Sequence, residues 1–230
     1  MEDKKIIKVN VGCGPNGKEG WINLDWGVLA FLAKARWLTR ILVRLGLLSV
    51  QYDRPWPGQL RLHDCRKKLP FNNQSLDFIY TSHFLEHLPR YQAVNFLAEC
   101  KRALRPAGVL RVSVPDLKKL AEKYIQVDKV YFLNILKSNR EETEFTNIAD
   151  LFVQYFYGYD TWREPDFLTK IKRKFVRGHL WMYDYNSLED MLKLVGFFNI
   201  RRCQPASGRT PDLDFLDIHR VNSIFVEANY

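Results

Sequence analysis

Short apolar runs alternate with polar, glycine- and proline-rich turns along most of this chain. Ile6, Ile7, Val9 and Val11 lead into a glycine turn at 12–17, and a second apolar run follows at 21–24. Runs of this kind, bounded by turn formers, predict strands at 5–11, 21–24, 60–63, 75–81 and 109–114. Two more, 197–203 and 223–228, flank a Pro/Ser/Gly/Asp-rich stretch and predict a closing pair. Apolar residues three and four apart predict helices at 28–50, 90–104 and 186–195. In 28–50, Arg36, Arg40 and Arg44 share one face, while Leu32, Ala35, Leu38, Ile41, Leu42 and Leu45 populate the other. Another helix is expected to open at Ser82, whose hydroxyl suits an N-cap. Asn186 and Glu189 offer a capping box to the last helix, and Gly196 offers its stop.

At 230 residues the chain suits a single α/β domain, 1–230, enlarged by insertions. The first insertion is the amphipathic helical stretch 28–50. The second is 117–177, charged, aromatic and mostly helical, expected to cap the sheet and carry substrate choice as loops on a rigid scaffold do. Lys34, Arg36, Arg40 and Arg44 interrupt 28–50 too often for a membrane span. Three roles remain for it: packing on the sheet or over a ligand, resting on an anionic membrane surface, or binding a partner. The formal charge of +9, with basic clusters at 36–44 and 170–177, favours encounter with nucleic acid, acidic glycan or lipid headgroups. Cys13, Cys65, Cys100 and Cys203 show no metal-binding spacing, and the first residues carry no apolar signal core. Reduced thiols in a cytoplasmic protein are therefore expected, with peripheral membrane contact through 28–50 as one alternative to its packing on the core.

The chemistry concentrates at 8–25, KVNVGCGPNGKEGWINLD. A buried strand, a glycine turn and an acid ending the next strand is how open α/β sheets hold an adenosine-containing cofactor. Gly12 and Gly14 let the backbone lie against a ligand, and the Asp25 carboxylate can accept hydrogen bonds from ribose hydroxyls. In a dinucleotide fingerprint the acid stands about 20 positions on, after a helix. Here Asp25 is 13 positions after Gly12, and KEGWINL is too short and glycine-broken for that helix. A cofactor without phosphates fits this spacing better.

VNVGCG, INLD, LHDCRKKLPFNNQSLDFIYTSHFLEHL, ECKRALRPAGVLRVSVPDL and HLWMYDYNSLEDMLKLVGF followed by NSIFVEA resemble, in order, the motifs of class I S-adenosylmethionine-dependent methyltransferases. The resemblance covers 6–25, 60–116 and 179–228, and departs from the family at Ala107, where glycine is usual, and in the first helix, which is lost or displaced. It implies an α/β fold: a Rossmann-like, seven-stranded, mostly parallel sheet with an antiparallel closing hairpin and a helical insertion. It also implies S-adenosylmethionine as cofactor, leaving as S-adenosylhomocysteine. The cofactor residues it implies are Val11, Gly12, Cys13 and Gly14 at the turn, Asp25 on the ribose, Asp64 and Cys65 beside the adenine, and Ser82 and His83 at the end of the fourth strand.

His83, Glu86 and His87 form the one local acid/base cluster, with the two histidines sharing a face of the expected helix. No third ligand is evident and no HExxH signature occurs, so no metal is expected. His83 and His179 are the candidate bases, since an imidazole titrates near neutrality. No Asn/Asp-Pro-Pro-Tyr/Phe signature follows the fourth strand, which disfavours a base amine and, with it, a nucleic-acid acceptor. A sugar or small-molecule hydroxyl is the expected acceptor. The rivals are a nicotinamide oxidoreductase, which needs an acid near position 32 where Leu32 stands, a non-catalytic adenosyl-binding protein, and a membrane- or nucleic-acid-surface adaptor.

Overall fold

The computed structural model describes residues 6–48, 50, 53, 55–56, 59–138, 143–157 and 178–230. Each of the seven apolar runs yields a strand: β1 (Lys8–Val11), β2 (Ile22–Asp25), β3 (Leu60–Leu62), β4 (Leu76–Ser82), β5 (Leu104–Pro115), β6 (Asn199–Cys203) and β7 (Ser223–Asn229). They form one sheet in the order β3-β2-β1-β4-β5-β7-β6. Pairing is parallel from β3 through β5, and β7 runs antiparallel to both β5 and β6. Val9, Leu24, Ile79, Leu110 and Val112 are fully buried, as parallel strands covered on both faces require. Chain order reverses between β1 and β4, so a crevice opens at their carboxyl ends, the usual ligand position in open α/β sheets.

The helices are α1 (Val28–Lys34), α2 (Arg36–Arg44), α3 (Arg90–Ala103), α4 (Leu117–Ile125), α5 (Lys129–Ser138), α6 (Ile148–Tyr157), α7 (Tyr185–Leu194) and the short α8 (Leu213–Leu216). α3 and α7 close one face of the sheet with Phe96, Leu97 and Cys100 from the first and Leu188, Met191 and Leu192 from the second. Trp21, Tyr80, Leu213 and Leu216 pack on the opposite face. There Arg111 of β5 is fully buried, paired with Asp217 and donating to the carbonyls of Ser207 and Gln204. α4, α5 and α6 gather a core of their own from Leu120, Phe132, Leu136, Leu151 and Tyr155. The rest of the expected cap, 139–142 and 158–177 with its basic run, lies outside the described residues.

Four local expectations are corrected. The helix expected at 28–50 is two helices, broken at Ala35, whose φ of −98° and ψ of 53° leave the helical region. No helix opens at Ser82. It is the last residue of β4, His83 follows with φ 51°, and only a single 3₁₀ turn forms at Leu85–His87. Pro89 explains this, because it holds the preceding Leu88 extended (φ −102°, ψ 140°) and stops the turn from propagating. The last helix is capped by Asp184, whose carboxylate accepts from Ser187 N, and not by Asn186. β5 begins at Leu104, directly after α3, and pairs with Leu76 before the turn at Ala107. The expected loss of a helix between β1 and β2 holds: a 3₁₀ turn at Gly14–Asn16 is all that joins them. Among the described residues no helix is long and apolar enough to cross a membrane.

Candidate cofactor and active site

The crevice at the β1/β4 switch holds two cavities that share a wall. The larger, about 850 Å³, is lined by the glycine turn, Asp25, Trp26, α1, Trp56, His63–Arg66, His83, Phe84 and His87. The smaller, about 170 Å³, is lined by Asn10, Gly12–Gly14, Asn16, Tyr80, Ser82, His83, Leu216, Ile218 and His219. Gly12, Gly14 and His83 border both. The larger falls within the size range of pockets for small molecules, about 300–1,000 Å³.

The turn is built for close approach. Gly12 has φ 65°, and a Cβ there would meet Phe84 at 3.0 Å, so a side chain is excluded by both conformation and space. Gly14 has φ 51°, and a Cβ there would meet nothing within 4 Å, so its open side faces the cavity. Asp25 braces the turn: its carboxylate accepts from Gly14 N at 2.7 Å and from Trp26 N at 2.6 Å. Burial raises its pKa, and those two N–H groups oppose the rise. Each carboxylate oxygen retains a second lone pair for a ligand hydroxyl. Asp64 is gripped by the Arg66 guanidinium through two bonds of 2.8 and 2.7 Å, which hold its carboxyl below the usual range. Cys13 and Cys65 are buried and their thiols pushed up by that burial, so both serve as small apolar wall and not as nucleophiles.

Below His83 lies an arrangement that the local spacing did not reveal. Glu86 is fully buried. Burial raises its pKa, but the imidazoles of His83, His87 and His179 outweigh that and bring it to about 2. Its Oε1 lies 3.1 Å from His83 Nδ1, and His83 Nε2 lies 2.8 Å from Ser223 Oγ. The carboxylate can only accept, so Nδ1 carries the ring proton and Nε2 presents its lone pair to the Ser223 hydroxyl. The His219 ring sits 4.2 Å from that of His83, centroid to centroid. Burial lowers the His219 pKa to about 4, with His83 adding to the effect.

Of the residues expected at the site, Gly12, Gly14, Asp25, Asp64, Cys65 and His83 line the larger cavity, and Cys13 and Ser82 the smaller. Val11 lies in the central core and lines neither. His179 also lines neither: it stands behind His87, ring centroids 5.3 Å apart, with its pKa lowered to about 4 by burial. That position removes it as a base for a cavity-bound acceptor. It also supplies the third donor that the local sequence lacked. Asn10, Ser223 and His219 were missed; only the NSIFVEA run and the histidine three residues before it hinted at the last two.

A family model described as a methyltransferase domain matches residues 47–112, the part that carries β3, β4, α3 and most of β5. Over that stretch the chain is similar to methyltransferase domains. Among solved structures, the PH0226 protein from Pyrococcus horikoshii OT3 shares 15% identity with this chain at a TM-score of 0.50, covering 100% of this chain and 84% of that one. An S-adenosylmethionine-dependent methyltransferase from Mesorhizobium loti shares 17% identity at a TM-score of 0.47, covering 100% and 93%. PigF with S-adenosylhomocysteine shares 14% identity at a TM-score of 0.46, covering 97% of this chain and 50% of that one. No curated protein matches it in sequence. The open side of Gly14, the Asp25 carboxylate and the large cavity fit a cofactor of the kind methyltransferase domains use, S-adenosylmethionine.

Proposed function

We propose that this enzyme methylates a hydroxyl of a sugar or other small molecule, with the adenosine end of the cofactor in the larger cavity and its amino-acid end in the smaller. The observation that carries this reading is that Gly12, Gly14 and His83 border both cavities, so one imidazole stands where the two ends of a bound ligand meet. S-adenosylmethionine supplies a methyl on a sulfonium sulfur, which takes back the C–S electron pair as the acceptor oxygen forms the new C–O bond. Asp25 holds the ribose hydroxyls, Asp64 and Cys65 edge the adenine, and Asn10, Tyr80 and Ser82 give the smaller cavity the polar wall that an amino acid needs. Glu86 fixes the His83 tautomer, so that Nε2 takes the acceptor's proton in place of the hydrogen bond from Ser223. Trp26, Phe31 and Trp56 give the larger cavity an apolar aromatic wall suited to a ring face. Positioning supplies much of the acceleration, up to about 7–11 kcal/mol in well-oriented systems.

The test is calorimetric titration with S-adenosylhomocysteine, paired with methyl transfer to a panel of sugars and phenols. Asp25→Ala should abolish binding while the fold persists. His83→Gln should keep the affinity and lose about 10²–10⁴-fold in turnover, the worth of a general base. Unchanged turnover in His83→Gln would remove the base from the mechanism.

A second role is favoured by α2, where Trp37, Ile41 and Leu45 form an exposed stripe beside exposed Arg40 and Arg44. This is the face of an interfacial helix on anionic lipid, and it suits a lipid-linked acceptor. Partitioning onto phosphatidylserine vesicles, compared with neutral ones, tests it.

A further inference from the structure

The chain has five histidines, and four of them converge on one buried carboxylate. His83 and His219 meet in a tilted ring contact on one side, and His87 and His179 approach on another, with Glu86 among them. Glu86, His87 and His179 each bring one ligand atom within 4.8 Å of the other two. Glu86 is fully buried, and neither carboxylate oxygen has a hydrogen-bond partner among the described residues, although Oε1 lies 3.1 Å from His83 Nδ1. An ionised carboxylate withdrawn from water with an oxygen left bare is costly unless a cation or a donor meets it. The Nδ1 of His179 is likewise buried without a partner.

The main chain sets this geometry firmly. The Glu86 carbonyl accepts from Leu180 N at 2.7 Å and from Trp181 N at 3.2 Å, which ties the 3₁₀ turn after β4 to the strand-like approach to α7. His87 Nδ1 lies 3.2 Å from the Gly178 carbonyl, which can only accept, so Nδ1 is the protonated nitrogen and Nε2 holds the lone pair. An imidazole anchored through its second N–H to a backbone carbonyl is how metal-binding histidines are commonly oriented.

We propose that Glu86, His87 and His179 are the protein ligands of one divalent first-row transition-metal ion, with a further coordination position open. Two imidazoles and one carboxylate are the donor set of catalytic zinc and of other open transition-metal centres. Magnesium and calcium, which take oxygen ligands, do not match it. His87 lines the larger cavity, so the ion sits at its wall. There the open position can take the oxygen of an acceptor hydroxyl and ease loss of its proton; this last role, unlike the site itself, rests on the hydroxyl-acceptor reading.

The experiment uses untagged protein stripped with a chelator. It is titrated with Co²⁺, followed by visible absorption, and with Zn²⁺ by calorimetry. S-adenosylhomocysteine is titrated separately into the same preparations. One ion per chain is expected, with affinity lower by about tenfold or more in both His179→Ala and Glu86→Gln. S-adenosylhomocysteine affinity in His179→Ala should stay within about twofold, since His179 lines neither cavity, and that also shows the variant is folded. Equal metal affinity in wild type and both variants, or no stoichiometric binding by a wild type that still binds S-adenosylhomocysteine, overturns the site. Metal binding lost in the variants, from a protein that ignores S-adenosylhomocysteine, upholds the metal site and overturns the cofactor placement instead.

Discussion

α2 and α3 carry the same helical signal in sequence and stand in opposite relation to the fold. α3 buries Ala93, Phe96, Leu97, Cys100 and Ala103, a stripe at three- and four-residue spacing that lies on the sheet. α2 buries Thr39 alone, and its apolar stripe points outward, with Trp37 68% and Leu45 65% exposed. Periodicity tells where an apolar face is, not what covers it. Connection decides that here. α3 runs straight into β5 at Leu104 and is pinned to the sheet, whereas α2 is separated from β3 by the fifteen residues 45–59 and breaks from α1 at Ala35.

The sharpest way to break this contrast is to truncate one large side chain on each helix. Phe96→Ala removes a buried ring from the central core and should cost about 3–5 kcal/mol. Trp37→Ala removes a larger ring and should change stability by less than about 0.5 kcal/mol, because water already surrounds it. Urea unfolding midpoints read both. Comparable losses would mean that α2 is covered in solution.

A loss near the lower end of about 3–5 kcal/mol is expected for Asp217→Ala on the opposite face, since it strands the Arg111 guanidinium where water cannot reach. Glu227, 3.7 Å from Arg111 Nη1, blunts the loss. Asp217→Asn, which keeps a hydrogen-bond acceptor, should lose less. If both variants unfold at the wild-type midpoint, the network contributes nothing to the sheet's second face.

Smaller effects test the exposed side. Replacing Arg40 and Arg44 with Gln should weaken binding to anionic vesicles by about 1 kcal/mol per charge and flatten its salt dependence. Arg36 and Arg40 both approach Asp53, at 3.6 and 3.8 Å, so Arg44 should carry the larger share of the loss. Identical partitioning of wild type and the double variant would leave the outward stripe to a protein partner.

The same distinction governs what could be read before the fold was known. All seven strands, the closing antiparallel pair and the absent first crossover helix were legible, because each follows from local period and turn chemistry. The glycine turn and Asp25 were legible for the same reason. The helix at Ser82 was misjudged although Pro89 was in view, since its restriction on Leu88 was not weighed. His179 beside His87, Ser223 beside His83 and Arg111 beside Asp217 were beyond reach. Each pair is brought together by sheet order across roughly a hundred residues, and no local spacing encodes it.

The turn at the end of α3 gives the smallest and most local test. Ala107 has φ 64°, a conformation that costs an L-residue about 1–2 kcal/mol and that glycine adopts freely. It is exposed, so a substitution there disturbs no packing. Glycine also loosens the unfolded chain, at a cost of about 0.5–1 kcal/mol. Ala107→Gly should therefore stabilise by up to about 1 kcal/mol. The neighbouring position answers in the opposite sense: a Cβ on Gly108 would meet the Arg105 carbonyl at 2.9 Å and the Leu76 carbonyl at 3.1 Å, so Gly108→Ala must push β5 away from β4. Thermal unfolding of the two variants should move in opposite directions from wild type. If Ala107→Gly instead lowers the midpoint, the left-handed turn is not held in solution, and the pinning of α3 to β5 that separates it from α2 is looser than the fold implies.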